Sequence, residues 1–255
     1  MPDSFLNVGS LHSVGHADLN GDDIVAADRP GRFAYTITAF GPAIYVYGRN
    51  TSGSIVAQGE LMSRLGDVAI TDITAGSTTS ATKVAGWTAN KHVGEMLFVF
   101  DNADSAGAAP EAEVSIIGSN TADVCNVDAN YPYSVALAAN DDLDTISPGW
   151  HWKDAAAGEL ATEVKGIVVA KAGVTSLYYG WLQCYGIHPR ALTTSSAMPD
   201  RGALIAGTKS CNIEAPSGWE LQIGHSVGEV KADLVSEFAP VFINVYSPTL
   251  PGGTP

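Results

Sequence analysis

Leu177-Tyr-Tyr-Gly-Trp-Leu-Gln-Cys-Tyr-Gly186 is the stretch whose reading decides the fold. It is rich in aromatic residues, carries no charge and ends on a glycine, which is the pattern of a β-strand. Outward from it, Gly202-Ala-Leu-Ile-Ala-Gly207, Trp219-Glu-Leu-Gln-Ile-Gly224 and Phe238-Ala-Pro-Val-Phe-Ile-Asn-Val-Tyr246 follow at short intervals. Each is an apolar run between clusters of Gly, Pro, Asn and Ser, so the last third of the chain, Val174 to Tyr246, reads as strand and turn in alternation. The same segment contains Gly224-His-Ser-Val-Gly228, which matches the G-x-S-x-G elbow of serine hydrolases. It is therefore either a β building block or the seat of a nucleophile.

Upstream, the strand pattern begins at Arg32-Phe-Ala-Tyr-Thr-Ile-Thr-Ala-Phe40, where Phe33, Tyr35 and Ile37 alternate with smaller or polar residues. Gly41-Pro42 makes a turn, Ala43 to Gly48 and Ser54 to Gly59 read as further strands, and Arg49 to Gly53 turns between them. Gly94-Glu-Met-Leu-Phe-Val-Phe100 is a continuous apolar run, suited to a strand covered on both faces. Glu113 to Gly118, Tyr133 to Ala138 and Ile167 to Ala170 are the next strands. Ser147-Pro-Gly-Trp-His-Trp152 reads as a tight turn and the seam between two halves. No segment keeps a helical period beyond two turns, and Ser226 to Leu234, the one short helix candidate, has Gly228 inside it. The expectation is a mainly β protein of antiparallel sandwich-type or barrel-type subdomains. Residues 1–32 form an extended N-terminal arm, 33–146 a first β subdomain, 147–246 a second, and 247–255 a mobile C-terminal tail. Tyr45 to Gly48 and Gln183 to Gly186 resemble each other, but over too few residues to make a repeat.

Of 255 residues, 16% are charged and 45% are hydrophobic, against roughly 25% charged in an average soluble domain. Two explanations stand side by side. Subunit interfaces lose charged residues, and a compact β protein can instead build its polar surface from Ser, Thr and Asn. The net charge is −14 and no basic cluster exists, so nucleic acid and anionic membranes are not expected partners. The N-terminal residues show no secretory signal pattern, and no apolar run approaches the roughly 20 residues of a membrane span. Cys125, Cys184 and Cys211 have no metal-type spacing and lie in or beside apolar segments, so they read as buried free thiols.

The motifs that carry chemistry thin out under their own requirements. A hydrolase elbow needs a helix after its serine and a histidine later in the chain. The six histidines are His12, His16, His92, His151, His188 and His225, so none follows Ser226. Ser226 then reads as a turn residue. Asp18, Asn20 and Asp22 have the spacing of the first ligands in a calcium-binding loop. The turn glycine of that pattern is replaced by Asp23, and the closing acid falls one place early at Asp28. An acidic turn is the preferred reading. His12 and His16 would share a helix face but have no third ligand nearby. Asp141, Asp142 and Asp144 read as a solvated loop. Trp150 and Trp152 flank His151 as a stacking surface for sugars does, or as a packed aromatic pair. With no P-loop, Rossmann fingerprint or CxxC pair, no cofactor is expected and no catalytic or metal residue is assigned.

The order Gly180-Trp-Leu-Gln-Cys-Tyr-Gly186, a variable loop, Gly202 to Gly207, Ile223-Gly-His-Ser-Val-Gly-Glu-Val230 and Ala239-Pro-Val-Phe-Ile243 resembles the closing β module of tailed-phage head proteins. Ala106-Gly-Ala-Ala-Pro-Glu111, Asn120-Thr-Ala122 and Pro132 to Ala138 are similar to segments of phage virion proteins. The resemblance spans about the last two-thirds of the chain, and the arm has no counterpart in it. It implies a capsid-associated structural subunit, such as a decoration or cement protein, that stabilises the shell and has no catalytic residues. Its implied partners are the major capsid protein and further copies of itself, often as a trimer, in a virion assembled in the host cytoplasm. Two rivals remain: a tail or fibre protein with a glycan platform at Trp150 and Trp152, and, more remotely, a serine hydrolase using Ser226.

Overall fold

The computed structural model describes residues 11–12, 22–23, 30–64, 68–103, 106–147, 150–154, 167–193, 203–206, 213–214, 224–227 and 238–244. Among these residues there is no helix, and most ladders are antiparallel, so the protein is mainly β. The first strands are β1 (Leu11–His12), β2 (Asp22–Asp23), β3 (Phe33–Thr38), β4 (Gly41–Asn50) and β5 (Leu61–Arg64). Then come β6 (Val68–Ile70), β7 (Ala75–Gly76), β8 (Ser80–Thr82), β9 (Met96–Asp101), β10 (Val114–Asn120), β11 (Val124–Val127) and β12 (Asp142–Ile146). The last are β13 (His151–Asp154), β14 (Ile167–Ala170), β15 (Tyr179–Leu192), β16 (Ala203–Ala206), β17 (Ile213–Glu214), β18 (Gly224–Ser226) and β19 (Phe238–Asn244).

The chain divides into two units: Met1–Arg64 with Trp150–Pro255, and Leu65–Gly149. A contiguous division into 33–146 and 147–246 does not describe this arrangement. The cause is long-range pairing: β4 lies antiparallel to β15, with Gly48 opposite Gly180 and Tyr45 opposite Gln183. The strands that follow residue 33 therefore belong with the last third of the chain, and Leu65–Gly149 is inserted between β5 and β13. The boundary at Gly149/Trp150 falls inside the turn read as a seam.

In the first unit the ladders close on themselves. β4 pairs with β13, β13 with β5, β5 with β14, β14 with β15, and β15 returns to β4. A closed circuit leaves none of these five strands with an unpaired edge along its shared length. One side of it buries Val46, Met62, Trp152, Ala170, Leu182 and Cys184, joined by Val56 and Val174, which bridge to each other. Gly48 and Gly180 make the space: a Cβ on the first would collide with the Trp152 indole, and on the second with the Val174 side chain. The opposite side of the β3–β4–β15 strands buries Ala34, Ala43, Tyr45, Tyr47 and Trp181. Here the alternation of β3 runs against the simplest reading. Ala34 and Thr36 are the buried residues and Ile37 is 46% exposed, because small side chains fit beside the Tyr45 and Trp181 rings. Gly186 has φ +98° and sits so close to the Pro42 carbonyl and Ala43 that no side chain fits. It follows the bulge between Gln183 and Tyr185, where β15 shifts register against β4.

Outside the circuit, β19 lines the far half of β15, followed in order by β18, β16 and β17. The described residues of the arm are paired: β1 runs parallel to β3 and β2 antiparallel to the start of β15. Residues 247–255 lie outside the described residues, as do Cys211 and Gly228 to Leu234.

The second unit is a seven-stranded sheet in the order β6-β12-β9-β10-β11-β8-β7. Its core holds Ile70, Leu97, Val99, Ile117, Val127 and Leu143 from strands, and Trp87, Tyr133 and Leu137 from connecting segments. Tyr133 to Ala138, expected as a strand, is irregular. Pro132 has no N–H to offer a ladder, and the segment is held at single points instead. The Tyr133 N–H donates to Thr78 O at 2.8 Å, and the Tyr133 hydroxyl donates to Leu97 O at 2.8 Å. The Gly94–Phe100 run is covered on one face only, with Leu97 and Val99 buried and Phe100 63% exposed. Cys125 and Cys184 are buried free thiols, as expected.

If the closed circuit carries the stability of the first unit, Leu182→Ala should destabilise it by about 2–5 kcal/mol through lost burial and a residual cavity. Ile37→Ala, at a half-exposed position on the same ladder system, should stay within about 1 kcal/mol. Urea denaturation followed by tryptophan fluorescence measures both.

Candidate functional site

Ser226 is placed by β18, which lies between β16 and β19. The expected turn at Gly224–Ser226 is therefore a strand, made possible because Gly224 has no Cβ to strike the Phe242 carbonyl. Ser226 is fully buried and pairs with Val241. Val241 pairs on its other side with His188. Serine and histidine thus occupy one row of the sheet, separated by a whole strand, or about 10 Å at the usual strand spacing. The His188 Nδ1 accepts the Arg190 N–H at 3.2 Å. A Ser–His pair of the kind nucleophilic catalysis uses needs contact at about 3 Å; Val241 stands where that contact would be. Sequence order had removed the histidine; the fold brings one nearer and then blocks it.

The clustered acids are not a solvated loop. Asp142 and Asp144 are in β12, and Asp141 just before it is fully buried. The Asp141 carboxylate accepts N–H groups from Ala103 at 3.1 Å and Ala138 at 2.8 Å. Its burial follows from that role: it satisfies backbone donors in connections that no ladder reaches. Asp22 likewise accepts the Thr175 N–H at 2.7 Å, and Asp23 accepts the Tyr47 hydroxyl at 3.2 Å. Asp18, Asn20, Asp28 and His16 lie outside the described residues, and His12 is in a strand rather than a helix. Among the described residues no group of three His, Cys, Asp or Glu could hold a metal ion.

One buried polar pair was not foreseen. His92 Nδ1 and Glu95 Oε2 are 2.7 Å apart and both side chains are almost wholly buried. The His92 N–H donates to Asn120 Oδ1, and Asn120 Nδ2 donates to Thr88 O at 2.8 Å. The network ties the 88–95 connection to the end of β10. The Cys125 thiol is pushed up to about 12 by burial and then by the nearby Glu95 charge. It stays protonated at neutral pH and is a poor nucleophile. The His-x-x-Glu spacing ahead of an apolar strand was the only signal for this pair.

Of the two tryptophans around His151, Trp152 is buried over Gly48 and cannot present a face. Trp150 is half-buried, edge-on to His151 at 4.1 Å and 6.2 Å from the Tyr179 ring. The Arg49 guanidinium lies 5.7 Å from the Tyr179 ring centroid, and its Nε donates to Leu177 O.

The largest departure from an ordinary soluble sheet is on the second unit. An antiparallel sheet with one face in water normally alternates apolar inward and polar outward. The strands β9 and β10 do not, and β12 adds Ile146 to their outer side although Asp142 and Asp144 keep its alternation. Residues directly opposite on neighbouring strands share a face, and Phe98 is opposite Val114 and Met96 opposite Ile116. Ile146 is opposite Met96 from the other side. Since Leu97, Val99 and Ile117 fill the core, this outer face carries Met96, Phe98, Phe100, Val114, Ile116 and Ile146. Phe100, Val114 and Ile116 are 63%, 53% and 39% exposed. Such a face is suited to contact with another protein rather than to chemistry.

No protein-family model, curated protein or solved structure matches this chain.

The buried imidazole gives a pH test of the first unit. Burial, and then the Lys171 charge, push His188 down to about 4. An unfolded histidine titrates near 6.5, so as pH falls the unfolded chain takes up the proton first. This contribution to stability is complete above about pH 6.5 and is lost progressively toward pH 4, by about 3 kcal/mol in all. Urea denaturation between pH 7 and 4.5 should show that slope, and His188→Gln should flatten it.

Proposed function

We propose that this protein is a non-enzymatic structural subunit of a phage virion. It binds and stabilises the capsid shell through subunit contacts, in the manner of a decoration or cement protein. The observation that supports this best is the outer face of β9, β10 and β12, where Phe98, Phe100, Val114 and Ile116 stand in place of the polar residues of a solvated sheet. The low share of charged residues fits a surface that is partly covered by neighbours. The likeness of the Gly180–Ile243 motif order to phage head proteins supplies the class. In this reading the partners are the major capsid protein and further copies of the chain in a symmetric oligomer. No residue has a catalytic role, and the acidic charge keeps it off nucleic acid and anionic membranes.

A second reading has one observation in its favour. The half-buried Trp150 and Tyr179 rings with Arg49 beside them could take a sugar, as a tail or fibre protein would. Glycan binding that disappears in Trp150→Ala would favour it.

The shell reading is tested by cosedimentation with shells assembled from the capsid protein encoded beside this reading frame. The protein should pellet with the shells at saturable stoichiometry and raise their melting temperature. Flanking genes without a shell protein, or shells that leave it in the supernatant, would overturn the proposal.

A further inference from the structure

We infer that the outer face of β9, β10 and β12 docks on a cationic surface of a different protein, and that a second copy of this chain does not occupy it. The inference rests on the shell-binding reading for its setting and on the charge distribution for its content.

The chain's negative charge is not spread evenly. Leu65–Gly149 contains twelve Asp and Glu residues, no Arg and two Lys, which is ten of the fourteen net negative charges in a third of the chain. Neither lysine is on β9, β10 or β12. Lys83 Nζ donates to the Thr71 and Asp72 carbonyls at 2.5 and 3.0 Å, just after β6, where the Asp72 N–H donates to Asp142 Oδ1. Lys91 precedes the His92–Glu95 turn and is not on β9, β10 or β12.

Several acids stand on or beside the face. Asp144 is directly opposite Phe98 and so points to the same side as the apolar row. Asp101 and Asp142 are opposite each other at the end of β9, a like-charge pairing that a sheet normally avoids. At the far side, the Asp128 carboxylate is held in its own turn, accepting the Asn130 N–H and side-chain amide at 2.9 and 2.8 Å. The result is an apolar centre with carboxylates along its β12 side. An interface of that form is complementary to an apolar centre bordered by Arg or Lys.

The same charges argue against a second copy. A two-fold contact brings one patch against itself, so both sides would carry Asp142 and Asp144 with no Lys or Arg on β9, β10 or β12 to offset them. Any self-association then uses a different surface.

The experiment uses the full chain and a fluorescein-labelled eight-residue strand peptide alternating Arg and Phe, with the Glu/Phe peptide as its counterpart. Fluorescence anisotropy should show that wild type binds the Arg/Phe peptide and not the Glu/Phe peptide. Phe100→Thr combined with Val114→Thr keeps β-forming residues at exposed positions, and should weaken binding at least tenfold. Ile55→Thr, exposed on the first unit, should leave it unchanged. Raising NaCl from 0.05 to 0.5 M should weaken wild-type binding at least fivefold. Equal binding of the two peptides, or binding that the double variant retains, would overturn the inference. So would a sedimentation velocity run in which the double variant breaks up a wild-type oligomer. If the double variant fails to bind the peptide but still pellets with shells, this face is not the shell contact while the capsid reading stands.

Discussion

The ladder between β4 and β15 is the interaction on which the first unit depends. It joins residues more than 130 positions apart in the chain, Tyr45 with Gln183 and Gly48 with Gly180. Without it the pairing of β4, β13, β5, β14 and β15 is an open run with two exposed edges. With it, every one of those strands has a neighbour on both sides. Closing it costs loop entropy, though the dependence on loop length is weak. What offsets that cost is burial on both faces of one ladder: Val46, Leu182 and Cys184 on one side, Tyr45, Tyr47 and Trp181 on the other. The glycines within it are part of the same requirement, since Gly48 makes room for Trp152 and Gly186 lets β15 pass Pro42.

Much of the strand content could be read directly from the residues, because runs such as Tyr179–Leu192 and Phe238–Asn244 are apolar, β-branched or aromatic and cleanly bounded. What could not be read was which strand pairs with which. Local period carries no information on a partner 130 residues away, so the division into two contiguous halves misplaced residues 33–64. The other misreadings have equally particular causes. Asp141 looks like part of a solvated acid run, and only the positions of the Ala103 and Ala138 N–H groups explain its burial. Gly224–Ser226 has turn composition but strand geometry, since a glycine also serves where two backbones approach closely. Tyr133 to Ala138 has strand composition, yet its two large side chains act as pins in the core of the second unit.

The apolar face of that unit teaches a related point. The Gly94–Phe100 run was correctly apolar on both faces, and the inference that both faces are covered was the step that did not follow within one chain. Periodicity tells where side chains point; it says nothing about what meets them. Candidate chemistry fared differently. Ser226 and His188 come closer in the sheet than chain order suggests, and the intervening Val241 keeps them apart. Proximity within a sheet is quantised by the strand spacing, so two groups one strand apart are either neighbours or out of reach.

The insertion of Leu65–Gly149 has a consequence for how such a chain can change over time. Arg64 and Trp152 are cross-strand partners in β5 and β13, about 5 Å apart, so the chain leaves the first unit at Arg64 and re-enters it at Trp150, two residues before that partner. A tight hairpin connection could span that gap. The ladders of the first unit need nothing from the inserted strands, since every one of their pairings is internal. Genetically, the arrangement is a socket: one stretch of coding sequence can be lengthened, exchanged or lost while the receiving ladders keep their register. A lineage could then replace the outer apolar face of β9, β10 and β12 by swapping that cassette, and leave the receiving scaffold under separate selection.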